Sequence, residues 1–135
     1  MGLTRGTTRE MLVRATLESL AYQTRDVAEA MQRDSGMRLE RLQVDGGAAH
    51  NNWLMQFQAD MLGVNVVRPK LVEATGKGAG ILAGIGIGWW KASRLSGLMG
   101  APDRTFRPRM PQSQRRRLYA GWQDAVERVR TRKRQ

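Results

Sequence analysis

A strand that ends in two glycines and passes straight into a helix can bring a row of backbone N–H groups up to a phosphate. Leu42-Gln43-Val44-Asp45-Gly46-Gly47-Ala48-Ala49-His50-Asn51-Asn52 has that composition. Glycine removes the side chain that would keep an anion away from the backbone, and the N-terminus of the following helix adds about half a positive charge. Asn51 supplies an amide that donates and accepts at once, suited to a ribose or a base. Gly47 is expected to need an unusual backbone angle as well as an open face. The same residues also suit a tight strand-to-helix turn in which Asn51 is only a helix cap.

A second glycine cluster, Ala74-Thr75-Gly76-Lys77-Gly78-Ala79-Gly80, fails the phosphate-loop template. Gly78 stands where a Ser or Thr should follow the lysine to hold magnesium, and Leu71 stands where the first glycine belongs. Ile81 breaks the dinucleotide-binding spacing of glycines. Glycine-mediated helix packing is the expectation here. There is no cysteine, so thiolate metal sites and cysteine nucleophiles are excluded. The single histidine, His50, has no nucleophile motif near it and reads as a polar turn residue. Asp45 and Glu73 are lone carboxylates with no local partner for general acid–base work.

Formal net charge is +11, of which +8 lies beyond residue 100. Arg115-Arg116-Arg117 and Arg128 to Arg134 could contact nucleic-acid phosphates, with Tyr119 and Trp122 stacking on bases. Those two aromatics fall on the apolar stripe, however, which favours a solvated basic helix face and tail. A stand-alone basic nucleic-acid-binding module is therefore the alternative reading, with no sequence-specific nucleic acid expected. The first residues show neither a leader's apolar core nor a myristoylation pattern, and no apolar run reaches the roughly 20 residues of a membrane span. A cytoplasmic location is the expectation.

The elements that would position these groups can be read from capping and periodicity. Thr7-Thr8-Arg9-Glu10 opens an amphipathic helix that runs to Asp34-Ser35-Gly36. Residues 38–44 alternate as a strand. A helix capped by Asn51 or Asn52 is expected to bury Trp53, Leu54, Phe57, Ala59, Met61 and Leu62 and to stop at Gly63. A second strand, 64–67, closes at Arg68-Pro69. Thr75 through Trp90 reads as a tightly packed, buried helix, 96–111 as a loop, and Gln112 onward as a terminal helix. The fold class is α/β, a short sheet with packed helices. Two or three strands make a weak sheet by themselves, so the unit is expected to be part of something larger.

Residues Arg14–Val27, Val44-Asp45-Gly46-Gly47-Ala48, Asn51-Asn52 and Leu54–Asp60 together resemble the FGGY carbohydrate kinases, and among them the glycerol-phosphorylating branch. The resemblance continues through Val67-Arg68-Pro69, Glu73-Ala74-Thr75, Gly78-Ala79, Leu82-Ala83-Gly84, Gly88-Trp89-Trp90, Phe106-Arg107-Pro108 and Tyr119-Ala120-Gly121-Trp122. It implies a partial actin-like, ribonuclease-H-like ATPase domain over residues 1–110, with a C-terminal helix and basic tail at 111–135. It further implies that Gly46, Gly47 and Ala48 form the adenosine-binding turn and that Asn51 reaches the adenine or ribose. ATP would be the nucleotide. By the resemblance, glycerol-binding residues, magnesium ligands and the catalytic aspartate lie in a missing N-terminal part, so no catalytic or metal residue is assigned to this chain, and the isolated chain is expected to be inactive. A homo-oligomer is compatible with the family. Gln112-Ser113-Gln114 departs from the acidic residues that some members use for partner regulation, and Gly76-Lys77 from small apolar ones.

Overall fold

The structure, a computed structural model, describes residues 2–70, 74–91, 93 and 102–130. Its elements are α1 (Arg9–Ser35), β1 (Arg41–Gln43), a 3-10 turn (Gly47–His50), α2 (Asn52–Leu62), β2 (Asn65–Pro69), α3 (Ala74–Gly86), β3 (Pro102–Phe106) and α4 (Gln112–Val129). Helix α1 starts where the hydroxyl pattern predicts, with the Met11 N–H donating to Thr8 Oγ1 at 3.3 Å. It ends at Gly36, whose left-handed backbone (φ 69°) lets its N–H reach the Gln32 carbonyl.

The sheet has the order β1-β2-β3. β1 and β2 run parallel with Leu42 opposite Val66, and α2 makes the crossover that a parallel pair requires. β2 and β3 run antiparallel with Val66 opposite Phe106. β3 corrects the sequence expectation, which placed 96–111 in a loop. Only Phe106 of its five residues is buried, so no apolar alternation announced a strand, and it is backbone pairing with β2 that defines it. Residues 96–101 of that stretch lie outside the described residues. β1 is also shorter than the alternation over 38–44 predicts, although the Val44 N–H still bonds the Val67 carbonyl at 3.1 Å.

Helix α3 departs further from expectation. It stops at Gly86, and a turn through Gly88 (φ 80°) brings the Trp89 N–H back to the Gly84 carbonyl at 2.8 Å. The apolar run is largely uncovered: Leu82 is 70% exposed and Trp89 76%. A Cβ at Gly76, Gly78, Gly80 or Gly86 would meet nothing within 4 Å, while one at Gly84 would strike the Trp90 ring. Glycine therefore serves close packing at one position, and among the described residues no neighbouring element presses on the others.

The core is built around α2, seven of whose eleven residues are buried. Tyr22 of α1 meets Phe57 edge-on at 5.6 Å and stacks on Trp122 of α4 at 5.5 Å. Val66 and Phe106 close it from the sheet, and Tyr119 from α4. Each such large apolar side chain contributes about 1.5–3 kcal/mol by leaving water. Helix α4 is thus held by the same core, and it is also tied to α1 through Asp26. That carboxylate accepts from Tyr119 Oη, and from Trp122 Nε1 at 2.8 Å. Arg25, paired with Glu29 at 2.7 Å, lies over the Tyr119 ring at 3.7 Å.

These contacts make stability sensitive to alkali. Burial, reinforced by the nearby Glu18, pushes the Tyr22 phenol up to about 12, and burial together with the bond to Asp26 raises Tyr119 above its ordinary value. Above the ordinary phenol pKa near 10, the unfolded chain loses protons that the folded chain keeps. Stability present below pH ~10 is therefore lost as pH rises toward about 12. Urea midpoints measured from pH 8 to 12 should fall through that window, and Tyr22→Phe should flatten the fall. A midpoint independent of pH there would contradict it.

Candidate functional site

After Val44 the chain leaves the sheet at Gly46, whose backbone (φ 76°, ψ 177°) is closed to L side chains at ordinary cost. The turn then tightens: the Ala49 N–H donates to the Gly46 carbonyl and the Asn51 N–H to the Ala48 carbonyl, both at 3.1 Å. Ala49 is driven into the core at 1% exposure, while Gly47, Ala48, His50 and Asn51 stay at the surface. Burying one alanine pins the loop and turns its other residues outward.

The two glycines have different roles, which corrects the expectation of an unusual angle at Gly47. Positive φ belongs to Gly46 alone of the pair. A Cβ at Gly47 would meet nothing within 4 Å, so the protein's own packing does not demand glycine there. What glycine leaves at Gly47 is an unobstructed backbone facing solvent.

Asn51 caps α2, its Oδ1 accepting from the Leu54 N–H at 3.0 Å. Such a cap contributes about 1 kcal/mol to the helix on which the core is built. It uses the amide oxygen and leaves the NH2 donors, so capping and contact with a ligand engage different atoms. Beside the turn a cleft of ≈ 540 Å³ opens between Leu20, Thr24 and Val27 of α1 and Val44, Asp45 and Ala48. That volume is in the range of small-molecule sites.

Arg68 braces this loop from β2. Its Nη1 donates to the Ala49 carbonyl at 2.9 Å and to Asn52 Oδ1 at 3.0 Å. Nε and Nη2 donate to Asp103 Oδ2 at 3.0 and 2.7 Å. Sequence reasoning did not assign this role, because Arg68 lies 19 residues from Ala49 and 35 from Asp103. The arginine closing a strand beside Pro69 was the available signal.

The remaining candidates divide between the turn, which holds His50 with Asp45 beside it, and positions elsewhere. Asp45 and His50 are exposed, Lys77 lies in the first turn of α3, and Glu73 is outside the described residues. Among the described residues no group of three His, Asp or Glu side chains could hold a metal ion. Tyr119 and Trp122, which a nucleic-acid reading needs for stacking, are engaged with Asp26 instead. Arg128 and Arg130 pair with Asp124 and Glu127 on the exposed face of α4 and at its end, and residues 131–135 of the basic tail lie outside the described residues. No described helix is long and apolar enough to cross a membrane.

The layer of α/β structure is that of the actin-like kinases, as the superpositions on glycerol kinase below and on gluconate kinase from Lactobacillus acidophilus show, the latter with a TM-score of 0.77 at 19% identity, covering 96% of this chain and 26% of that one. The model of the FGGY family of carbohydrate kinases, C-terminal domain, matches residues 1–87, and the chain belongs to that family. It is 58% identical over 130 residues to a glycerol kinase of Symbiobacterium thermophilum, and 56% identical over 129 residues to one of Caldanaerobacter subterraneus. In both cases the match covers 96% of this chain and 26% of the relative. Plasmodium falciparum glycerol kinase with ADP superposes with a TM-score of 0.82 at 32% identity, over 98% of this chain and 26% of that one. The chain thus spans about a quarter of the length of the relatives it matches.

Proposed function

We propose that this chain forms the adenosine side of the cleft in an ATP:glycerol 3-phosphotransferase, the complete enzyme converting glycerol and ATP to glycerol 3-phosphate and ADP. The observation that carries this reading is the open turn at Gly46–Asn51, on a chain more than half identical to glycerol kinases. Gly46 turns the backbone away from the sheet, Gly47 and Ala48 present it to the nucleotide, and the Asn51 NH2 reaches the ribose or adenine. Residues 1–110 are the ATP-binding part, and 111–135 a terminal helix and basic tail.

Phosphoryl transfer depends on an aligned nucleophile and on charge stabilisation at the moving phosphoryl group. The residues described above bind and orient the nucleoside. Magnesium ligands, the glycerol site and the base belong, in this reading, to the rest of the enzyme, which is cytoplasmic. No sequence-specific nucleic acid takes part. The test is a complete kinase in which this chain replaces the matched stretch of the Symbiobacterium thermophilum enzyme. That chimera should phosphorylate glycerol with ATP, whereas the 135-residue chain alone should show no glycerol-dependent ADP release. A folded chimera without activity, or an active isolated chain, would overturn the proposal.

A further inference from the structure

We infer that Arg68 is a positioning residue for nucleotide binding: from β2 it sets the orientation of the backbone at Gly46–Asn51 without touching the nucleotide itself. This inference rests on the assignment of that turn to the adenosine. Apart from the bonds by which Asn51 caps α2, the turn has little else to hold it. Ala49 is its one buried side chain, the two bonds that close it are of the short 3-10 kind, and glycine at two successive positions leaves the backbone free to adopt other angles. Such a loop keeps one orientation only if something outside it fixes its polar groups.

Arg68 does so at two points. The Ala49 carbonyl and the Asn52 side chain, both bonded to Nη1, bracket His50 and Asn51, so the peptide that carries Asn51 is held on either side. The guanidinium is itself held, since Nε and Nη2 both close on Asp103 Oδ2, and the Arg68 side chain is only 12% exposed. β3 thereby reaches the turn through one planar group. A lysine would keep the charge, but its single ammonium cannot span two acceptors on the turn and a carboxylate on the opposite side.

In the complete chimeric kinase, Arg68→Lys should weaken ADP binding by about tenfold, the effect of losing a charge-assisted bond to the turn. Asp103→Asn, which loosens the tether while leaving the arginine, should weaken it by about threefold. The KM for glycerol should stay within about twofold in both, because a displaced adenosine turn lowers nucleotide affinity selectively. Gly47→Val is measured alongside. If it loses ADP affinity while folded Arg68→Lys does not, the inference about Arg68 fails and the turn keeps its role. If neither loses affinity, the assignment of the turn fails and the inference falls with it. Equal loss of nucleotide and glycerol affinity, with a lowered melting temperature, would make Arg68 a structural brace only and also overturn the inference. Should Arg68→Lys not fold, Asp103→Asn decides by the same criteria.

Discussion

Gly47→Val in the chimeric kinase is expected to raise the KM for ATP by about tenfold or more while leaving the melting temperature and the KM for glycerol nearly unchanged. The two glycines allow this separation because their physical demands differ. At Gly46 any side chain meets a positive φ of 76° with ψ 177°, a region essentially reserved to glycine that costs an L residue about 1–3 kcal/mol regardless of ligand. At Gly47 φ is not positive and an added Cβ enters open space. A Cβ there meets no protein atom within 4 Å, so the effect of the substitution is expected to fall on whatever approaches the turn from outside. Gly46→Ala should do the reverse, lowering stability first and nucleotide affinity as a consequence. Steady-state kinetics with ATP and glycerol varied separately, together with thermal melting, distinguish the two. A Gly47→Val enzyme with an unchanged KM for ATP would return the turn to a purely structural role.

Asp60→Ala is expected to lower stability by about 3 kcal/mol, from the loss of a buried carboxylate acceptor and the unpairing of its donors. Asp60 is only 8% exposed. Its Oδ1 accepts from the Arg109 N–H at 2.6 Å, the Met110 N–H at 3.1 Å and Gln56 Nε2 at 3.2 Å. Gln56 Nε2 also bonds the Arg107 carbonyl at 2.8 Å. This one carboxylate therefore fixes the descent from β3 into α4 against the central helix. Alanine would leave the Arg109 and Met110 N–H groups without their acceptor at a part-buried position. Asp60→Asn keeps an oxygen for them but gives up the charge, and should cost about half as much. Urea denaturation of the chimera and of both variants is the measurement. Equal midpoints for the alanine variant and its parent would show that the 107–110 segment is held by other contacts.

How far the sequence revealed this arrangement depended on whether the decisive contact was local. Thr8, Gly36, Asn51 and Gly63 lie within a turn of the helices they cap, so both ends of α1 and α2 could be read directly. The apolar positions of α2 marked most of its buried side for the same reason, but Trp53, expected there, is 41% exposed because it stands in the first turn, outside the packed stretch Leu54–Met61. β3 could not be read. Pro102, Asp103, Arg104 and Thr105 are exposed, and their strand character comes from partners on β2 more than thirty residues away. In α3 the apolar run showed which residues avoid water, but periodicity does not say what covers them, and Leu82, Ile87 and Trp89 are exposed. At the turn, the residue types pointed to an anion-friendly backbone, while the division of labour between Gly46 and Gly47 required actual dihedral angles. Arg68 and Asp103 were beyond reach because a guanidinium chooses its acceptors in three dimensions.

The assignment of the Gly46–Asn51 turn to the nucleotide is tested most directly by calorimetric titration of ADP into the complete chimera and into its Gly47→Val variant, with both shown to melt at the same temperature. A dissociation constant about tenfold or more weaker in the variant is the expected result. Equal constants in the two folded proteins would contradict the assignment.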